Sequence, residues 1–272
     1  MGRLAFSTLG CPEWDFGTVV KKAKEMGYSA IEVRGILDQM QTDKIEIFLP
    51  ENRNATKKLL EENDLKISNV GTSVMFHHGI EKVIGEGKSA IDTCFAMGIP
   101  AIRVFGDAVP PGVDKDTIFR CVADGILELC KYSEEHADGK VQIWLEVHGD
   151  FNSAEMFIPV HDLLGDCPGY GMLWDVQHTY VAGVDPVGFF REFKPFIRHT
   201  HFKDCILEDG KHEDALPGEG TLPVKEYYEL LENGGYTGYY SFEWEKRWVS
   251  TLPDPEIAFP MYAALMNSFN CK

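Results

Sequence analysis

The sequence predicts an α/β fold, a single (β/α)8 TIM barrel occupying residues 1–272 as one domain. Three observations lead there. Short β-like runs alternate with longer helical stretches from end to end, the pattern of a parallel sheet. Eight such strand–helix units can be counted along the chain. The length of 272 residues is close to the ~250 usual for this barrel. An open doubly wound sheet is the alternative that the same alternation allows.

The first β-like run is Leu4-Ala5-Phe6-Ser7, followed by a helical stretch from Phe16 to Met26 that stops at Gly27, a natural C-terminal cap. Ala30-Ile31-Glu32-Val33 comes next, then a polar loop and a helix through Thr56–Glu62. The third run, Ile67–Val70, precedes a helix from Glu81 to Met97 that ends at Gly98. The fourth, Ala101–Phe105, precedes a long helix from Lys115 to His136. The fifth run is Val141–Glu146, with a helix at Ala154–Leu164 behind it. The sixth is Gly171–Asp175, with a short helix at Pro186–Phe193. The seventh, Ile197–His201, leads into a polar loop from Leu207 to Pro223 and a helix at Val224–Glu232. The eighth is Tyr239–Glu243, and a last helix runs from Asp254 to Asn267.

Composition narrows the function classes. Hydrophobic residues make up 44% and charged residues 25%, enough apolar side chain for a sizeable core. The net charge of −17 repels a phosphate backbone, and no Lys/Arg-rich run offsets it, so nucleic acid is not an expected partner. No segment approaches the ~20 apolar residues needed to span a bilayer, so no membrane partner is expected. Seven cysteines, an odd number without a Cys-x-x-Cys pair, do not form a disulfide framework or a zinc knuckle. With an N-terminus too short in apolar residues for a signal peptide, they point to a reducing, cytoplasmic setting.

Four residues of metal-ligating types close four successive runs: Glu146 the fifth, Asp175 the sixth, His201 the seventh and Glu243 the eighth. In a parallel barrel all strand C-termini meet at one face, where active sites sit. Each of these four residues alone is as well explained by a loop ion pair. Four in succession, each behind an apolar or aromatic run, are not. Like charges at an apolar barrel mouth repel unless a cation compensates. Two Glu, one Asp and one His suit a single divalent ion, Mn2+ first, with Mg2+, Co2+ and Zn2+ as competitors.

These residues carry a resemblance. Leu145-Glu146-Val147-His148, Trp174-Asp175-Val176-Gln177-His178, His201-Phe202-Lys203-Asp204 and Phe242-Glu243-Trp244-Glu245 resemble the strand ends of the xylose isomerase-like barrel superfamily, in particular its sugar phosphate isomerase/epimerase group. Gly218-Glu219-Gly220 and the opening Ser7-Thr8-Leu9-Gly10-Cys11-Pro12 add to the likeness, which covers essentially the whole chain. It implies that Glu146, Asp175, His201 and Glu243 bind metal and that Glu146 and Glu243 are the catalytic proton carriers. A ketose polarised at its carbonyl and adjacent hydroxyl has an acidic C–H and passes through an enediolate. Two carboxylates on opposite faces then remove and return the proton.

Other residues are candidates for substrate contact. His178, three after Asp175, resembles the family histidine that orients substrate or a group behind the metal ligands. Lys203 is suited to hold a substrate oxygen or a carboxylate, or else to pair with Asp204. His148 and Glu219 are placed to line the pocket, with loop packing as the plain alternative. Trp14, Trp244 and Trp248 offer aromatic faces that stack on sugars or pack as lid and core. His77, His78 and Arg34 are as well explained by surface positions and ion pairs.

The leading expectation is a divalent-metal-dependent sugar isomerase or epimerase of the ketose 3-epimerase type, acting on a small-molecule sugar or polyol. A free sugar is preferred to a phosphate ester because no glycine-rich phosphate cradle is present. A keto-polyol (keto-inositol-like) dehydratase uses the same ligands and expels a β-hydroxyl from the same enediolate. A non-catalytic sugar-binding barrel is a third reading. An apurinic-site endonuclease needs further histidines at the third and fourth strand ends, which this sequence lacks. The Pro253–Pro260 segment and the last helix suit either a homo-oligomer contact or the barrel itself.

Overall fold

A computed structural model describes residues 3–269, so Cys271 lies outside the described residues. The elements in chain order are β1 (Leu4–Ser7), α1 (Phe16–Glu25), β2 (Ala30–Val33), α2 (Arg53–Glu62), β3 (Lys66–Met75), α3 (Ile80–Met97), β4 (Ala101–Phe105) and α4 (Lys115–Ala137). They continue with β5 (Gln142–Glu146), α5 (Ala154–Leu164), β6 (Tyr170–Asp175), α6 (Val176–Val181), α7 (Pro186–Phe193), β7 (Ile197–Phe202), β8 (Asp204–Glu208), β9 (Lys211–Ala215), α8 (Val224–Asn233), β10 (Tyr240–Phe242) and α9 (Pro255–Phe269). Eight strands close into a barrel in the order β1-β10-β7-β6-β5-β4-β3-β2, the single (β/α)8 TIM barrel expected from the alternation. Among the described residues no helix is long and apolar enough to cross a membrane.

Contacts divide the described chain into two compact units, one formed by the chain up to Ser68 with the chain from His199 onward, the other by Asn69–Arg198. In the first, β1 pairs in parallel with β2, bringing Ser7 opposite Glu32, and with β10, bringing Phe6 opposite Phe242. β10 pairs with β7, so Ser241 faces His201 in register. An aromatic layer lies behind these strands. Phe6 and Phe259 have ring centroids 4.4 Å apart, and Phe242 stacks on Tyr262 at 4.6 Å. The phenol of Tyr28 is buried there and donates to the Phe259 carbonyl at 2.7 Å, which satisfies its only polar group.

In the second unit β4 and β5 pair without irregularity from Ala101↔Gln142 to Phe105↔Glu146, and β5 continues onto β6 with Glu146 opposite Leu173. Ala101, Trp144 and Leu173 form one buried cluster. Gly171 is required beside it, because a Cβ there would stand 2.6 Å from the Trp144 indole. Helix α3 ends at Gly98, whose φ of 75° is a left-handed cap conformation that costs glycine nothing.

Several stretches depart from the sequence expectation, among them the third strand, expected over Ile67–Val70 and running on to Met75. The polar loop expected from Leu207 to Pro223 contains an antiparallel hairpin, β8 on β9. Its two-residue turn is Asp209-Gly210, both with positive φ (51° and 74°), the turn type that matches strand twist. Helix α6 was not expected and follows β6 directly. The polar loop after β2 holds two short 3-10 turns, Thr42–Lys44 and Glu46–Phe48.

Candidate metal centre

The site is best built strand by strand. On β7, alternate residues share a face, so His199, His201 and, just beyond the strand, Lys203 follow one another inward. All three are buried, with His199 and His201 fully inaccessible. On β2, Glu32 is equally inaccessible. Its Oε2 accepts from His199 Nε2 at 3.0 Å, from His201 Nε2 at 2.9 Å and from Ser241 Oγ at 3.0 Å. The other edge of the His201 ring, Nδ1, lies 3.2 Å from Glu243 Oε2. Lys203 Nζ bridges Glu243 Oε2 at 2.7 Å and Glu245 Oε1 at 2.6 Å.

These contacts set the charges. Burial on its own pushes the Glu32 carboxyl up. The His201 charge and the hydrogen bonds from His199 and His201 outweigh it and hold Glu32 well below the ordinary carboxylate value. Glu243 behaves likewise: burial pushes it up, and His201 and Lys203 bring it well below.

In the second unit Glu146 closes β5 and is paired with Arg103 Nε at 2.8 Å, both side chains being buried. The Arg103 guanidinium lies 3.8 Å from the Phe105 ring centroid and also donates to the Thr72 carbonyl at 2.9 Å. Asp175 closes β6 and caps α6, its Oδ1 accepting from the backbone N–H of Gln177 at 2.8 Å and of His178 at 3.2 Å. That is why β6 passes into a helix with no loop. His178 sits on α6 with Nε2 3.8 Å from Asp175 Oδ2. Its ring meets His148 edge-on with centroids 4.6 Å apart. His148 Nδ1 is held by Asp107 Oδ1 at 2.6 Å, and Asp107 also faces His77 at 3.6 Å. Hydrogen bonding to His148 outweighs burial and lowers the Asp107 pKa.

Glu146, Asp175, His201 and Glu243 each offer one ligand atom, and these atoms all lie within 4.8 Å of one another. The four are 1%, 0%, 0% and 5% exposed, so three carboxylates are gathered out of water around one imidazole. Oxygen-rich donors with a single imidazole fit a divalent cation, and burial without one leaves like charges to repel. The donor set therefore suits the ion that the sequence implied.

The other expected residues are placed as follows. Lys203 does not pair with Asp204. Neighbouring residues point to opposite sides, and Asp204 instead accepts the backbone N–H groups of Cys205, Gly218 and Gly220 at 2.8, 2.9 and 3.0 Å. This anchors the Gly218-Glu219-Gly220 turn by its backbone and leaves the Glu219 side chain exposed. A Cβ at Gly220 would collide with Asp204. Trp244 is 0% exposed, stacked on Phe242, with its indole N–H donated to the Pro253 carbonyl at 2.9 Å. That corrects the expectation of an open stacking face to one of core packing. Trp14 packs edge-on against Phe259 at 5.6 Å, and Trp248 is 57% exposed. His78 is exposed and lies against His77, while Arg34 is buried. Glu32, His199, Arg103 and Asp107 were not anticipated as parts of these networks. The visible signal was a charge in the middle of an apolar run, Ala30-Ile31-Glu32-Val33 and Ala101-Ile102-Arg103-Val104.

The closed barrel with a candidate metal-ligand set at its strand ends defines a class, the (β/α)8 proteins. The chain belongs to the xylose isomerase-like TIM barrel family, whose model matches residues 20–260. Among curated proteins it is similar to an inosose dehydratase of Lacticaseibacillus casei, 30% identical over 109 residues, which is 35% of this chain and 34% of the relative. That match spans about one third of the relative's length. An inosose dehydratase of Bacillus anthracis is 23% identical over 79% of both chains. Among solved structures, the IOLI protein with a bound zinc atom superposes with a TM-score of 0.81 at 17% identity, covering 98% of this chain and 97% of the other. D-psicose 3-epimerase with D-tagatose from Clostridium cellulolyticum H10 superposes at 0.77 with 16% identity, covering 98% of each. At such identities the structural likeness is one of fold.

Proposed function

We propose that this protein is a divalent-metal-dependent enzyme that abstracts a proton beside the carbonyl of a ketose or keto-polyol. In this reading Glu146, Asp175, His201 and Glu243 are the ligands, and Glu146 and Glu243 also carry the proton. The observation that supports it most is the mutual approach of those four ligand atoms within 4.8 Å. A bound cation supplies Lewis-acid polarisation of a carbonyl and its neighbouring hydroxyl. The protein supplies the rest. Arg103 holds Glu146 by an ion pair of 2.8 Å and Lys203 holds Glu243 by a charge-assisted hydrogen bond of 2.7 Å, which keeps both carboxylates aimed. A carboxylate of this kind acts as base on one face of the substrate carbon, and the second returns the proton from the other. His178, set on α6 by the Asp175 cap, is placed to orient a substrate hydroxyl, with His148 behind it. Mn2+ is the first choice of ion, and the zinc in the IOLI protein makes Zn2+ a real competitor.

Two outcomes of the same proton abstraction are kept. Reprotonation on the opposite face gives 3-epimerisation, the chemistry named for the D-psicose 3-epimerase neighbour. Loss of a β-hydroxyl gives dehydration, the chemistry named for the inosose dehydratase relatives. The test is deuterium exchange in D2O with Mn2+-loaded protein over a panel of free ketoses, keto-inositols and their phosphates, read by NMR. Deuterium at the carbon beside the carbonyl, lost on chelation, is the expected result. Epimer or dehydrated product in the same spectrum assigns the branch. No exchange across the panel, in protein shown to hold metal, would overturn the proton-abstraction reading in favour of a sugar-binding barrel.

A further inference from the structure

We infer that Glu32 is a positioning residue that accepts the Nε2–H of His201 and so holds Nδ1 of that ring toward the four-residue cluster. The inference rests on the reading of that cluster as a metal centre. A neutral imidazole has one N–H and one lone pair, and an ionised carboxylate only accepts. Both oxygens of Glu32 lie at hydrogen-bond distance from His201 Nε2, 3.0 Å to Oε1 and 2.9 Å to Oε2. Nδ1 lies on the other edge of the ring, toward Glu243 of the cluster. A ring that ligated through Nδ1 would be neutral, and its one remaining proton would be the Nε2–H that Glu32 accepts. Bulk solvent does not reach the network, because Glu32, His199, His201 and Ser241 are all 0% exposed.

Three donors from two strands converge on this one carboxylate: His199 and His201 from β7 and Ser241 from β10. A carboxylate has about four acceptor positions on two oxygens and satisfies all three donors. A glutamine of the same shape has one acceptor oxygen and brings a donor of its own. Isosteric replacement therefore leaves at least one buried N–H or O–H opposed. It also removes the negative charge that raises the basicity of the His201 ring as a ligand. The alternative is that Glu32 only ties β2 to its neighbours. That role would lower thermal stability and leave the ring's proton position and metal affinity untouched.

The experiment has two arms. Chelated wild-type protein with 15N-labelled histidine is examined by two-bond 1H–15N correlation, with the His201 signals assigned by their loss in His201→Asn. A protonated, pyrrole-like Nε2 is expected, and a pyridine-like Nε2 would overturn the inference without reference to any metal. In the second arm Mn2+ and Zn2+ are titrated calorimetrically into wild type and Glu32→Gln, with folding checked by circular dichroism. About 10–100-fold weaker binding is expected for the folded variant. Unchanged affinity in a folded Glu32→Gln would sink the positioning role while leaving the metal centre in place. Wild type that binds neither ion would instead sink the metal-centre reading. If Glu32→Gln does not fold, the NMR arm decides.

Discussion

Glu32 and Asp107 both hold histidine rings on a carboxylate, one in a dry interior and the other at a rim. Glu32 is fully inaccessible and serves three donors within 3.0 Å. Asp107 keeps 20% of its side chain exposed, binds His148 at 2.6 Å and leaves His77 at 3.6 Å. Its backbone has a φ of 63°, unusual for a residue with a Cβ, and its carbonyl accepts the Asp150 N–H at 2.7 Å. Opposed effects act on both carboxyls, burial pushing up and histidines pulling down, and the net is lower in each. The difference is replaceability. At the rim water can take the place of a lost partner, so the pair tunes. In the interior nothing can, so the network specifies.

Substitutions should reproduce that gradient. The largest effect is expected at the buried carboxylates proposed to carry the proton: Glu146→Gln and Glu243→Gln should each lower kcat by about a hundredfold or more in steady-state assays of the deuterium-exchanging substrate. Full activity in either would break the two-carboxylate scheme. Next is Lys203→Met, which strands Glu243 beside Glu245. Removing one partner of a buried pair should cost about 3 kcal/mol, read from urea unfolding at constant m. At the edge, His178→Ala should weaken turnover by roughly tenfold, the scale of one lost hydrogen bond to substrate. The smallest effect is expected for Asp107→Asn, about 1 kcal/mol at neutral pH.

The pH dependence sharpens the last case. Asp107 has a folded pKa below its ordinary value of 3.8, so its contribution is present above that value and is lost as pH falls through the lower folded pKa. Wild type and Asp107→Asn should therefore converge in stability as pH drops below about 4 and separate above it. A constant difference across that range, in thermal melts from pH 3 to pH 7, would mean that His148 is held by packing rather than charge.

Much of the barrel was legible because strands and helices have different periods and because glycines stop helices. Residues Ala101–Phe105, Ala154–Leu164 and Pro186–Phe193 appear at the boundaries that the residue pattern suggested. The four candidate ligands were legible for a topological reason: a parallel barrel brings every strand end to one face. Their supports were not. Arg103 and Glu32 each sit within an apolar run, and only the folded register reveals that Arg103 meets Glu146 and that Glu32 meets two histidines. Lys203 was visible as a group suited to hold a carboxylate, and only the folded register shows that the carboxylates are Glu243 and Glu245 and not its neighbour Asp204. Helix α6 is only six residues long, too short for a periodic signal, and owes its start to the side chain before it.

That side chain links two events. Asp175 lends one oxygen to the first turn of α6 and belongs, through the same carboxylate, to the candidate ligand set. Occupancy of the cluster and the order of α6 are then thermodynamically reciprocal: whatever tightens one must tighten the other by the same free energy. His178 rides on that helix. Amide protons of Gln177 and His178 should exchange with solvent more slowly once the ion is bound, so the helix that carries His178 would register, from outside, whether the centre is loaded.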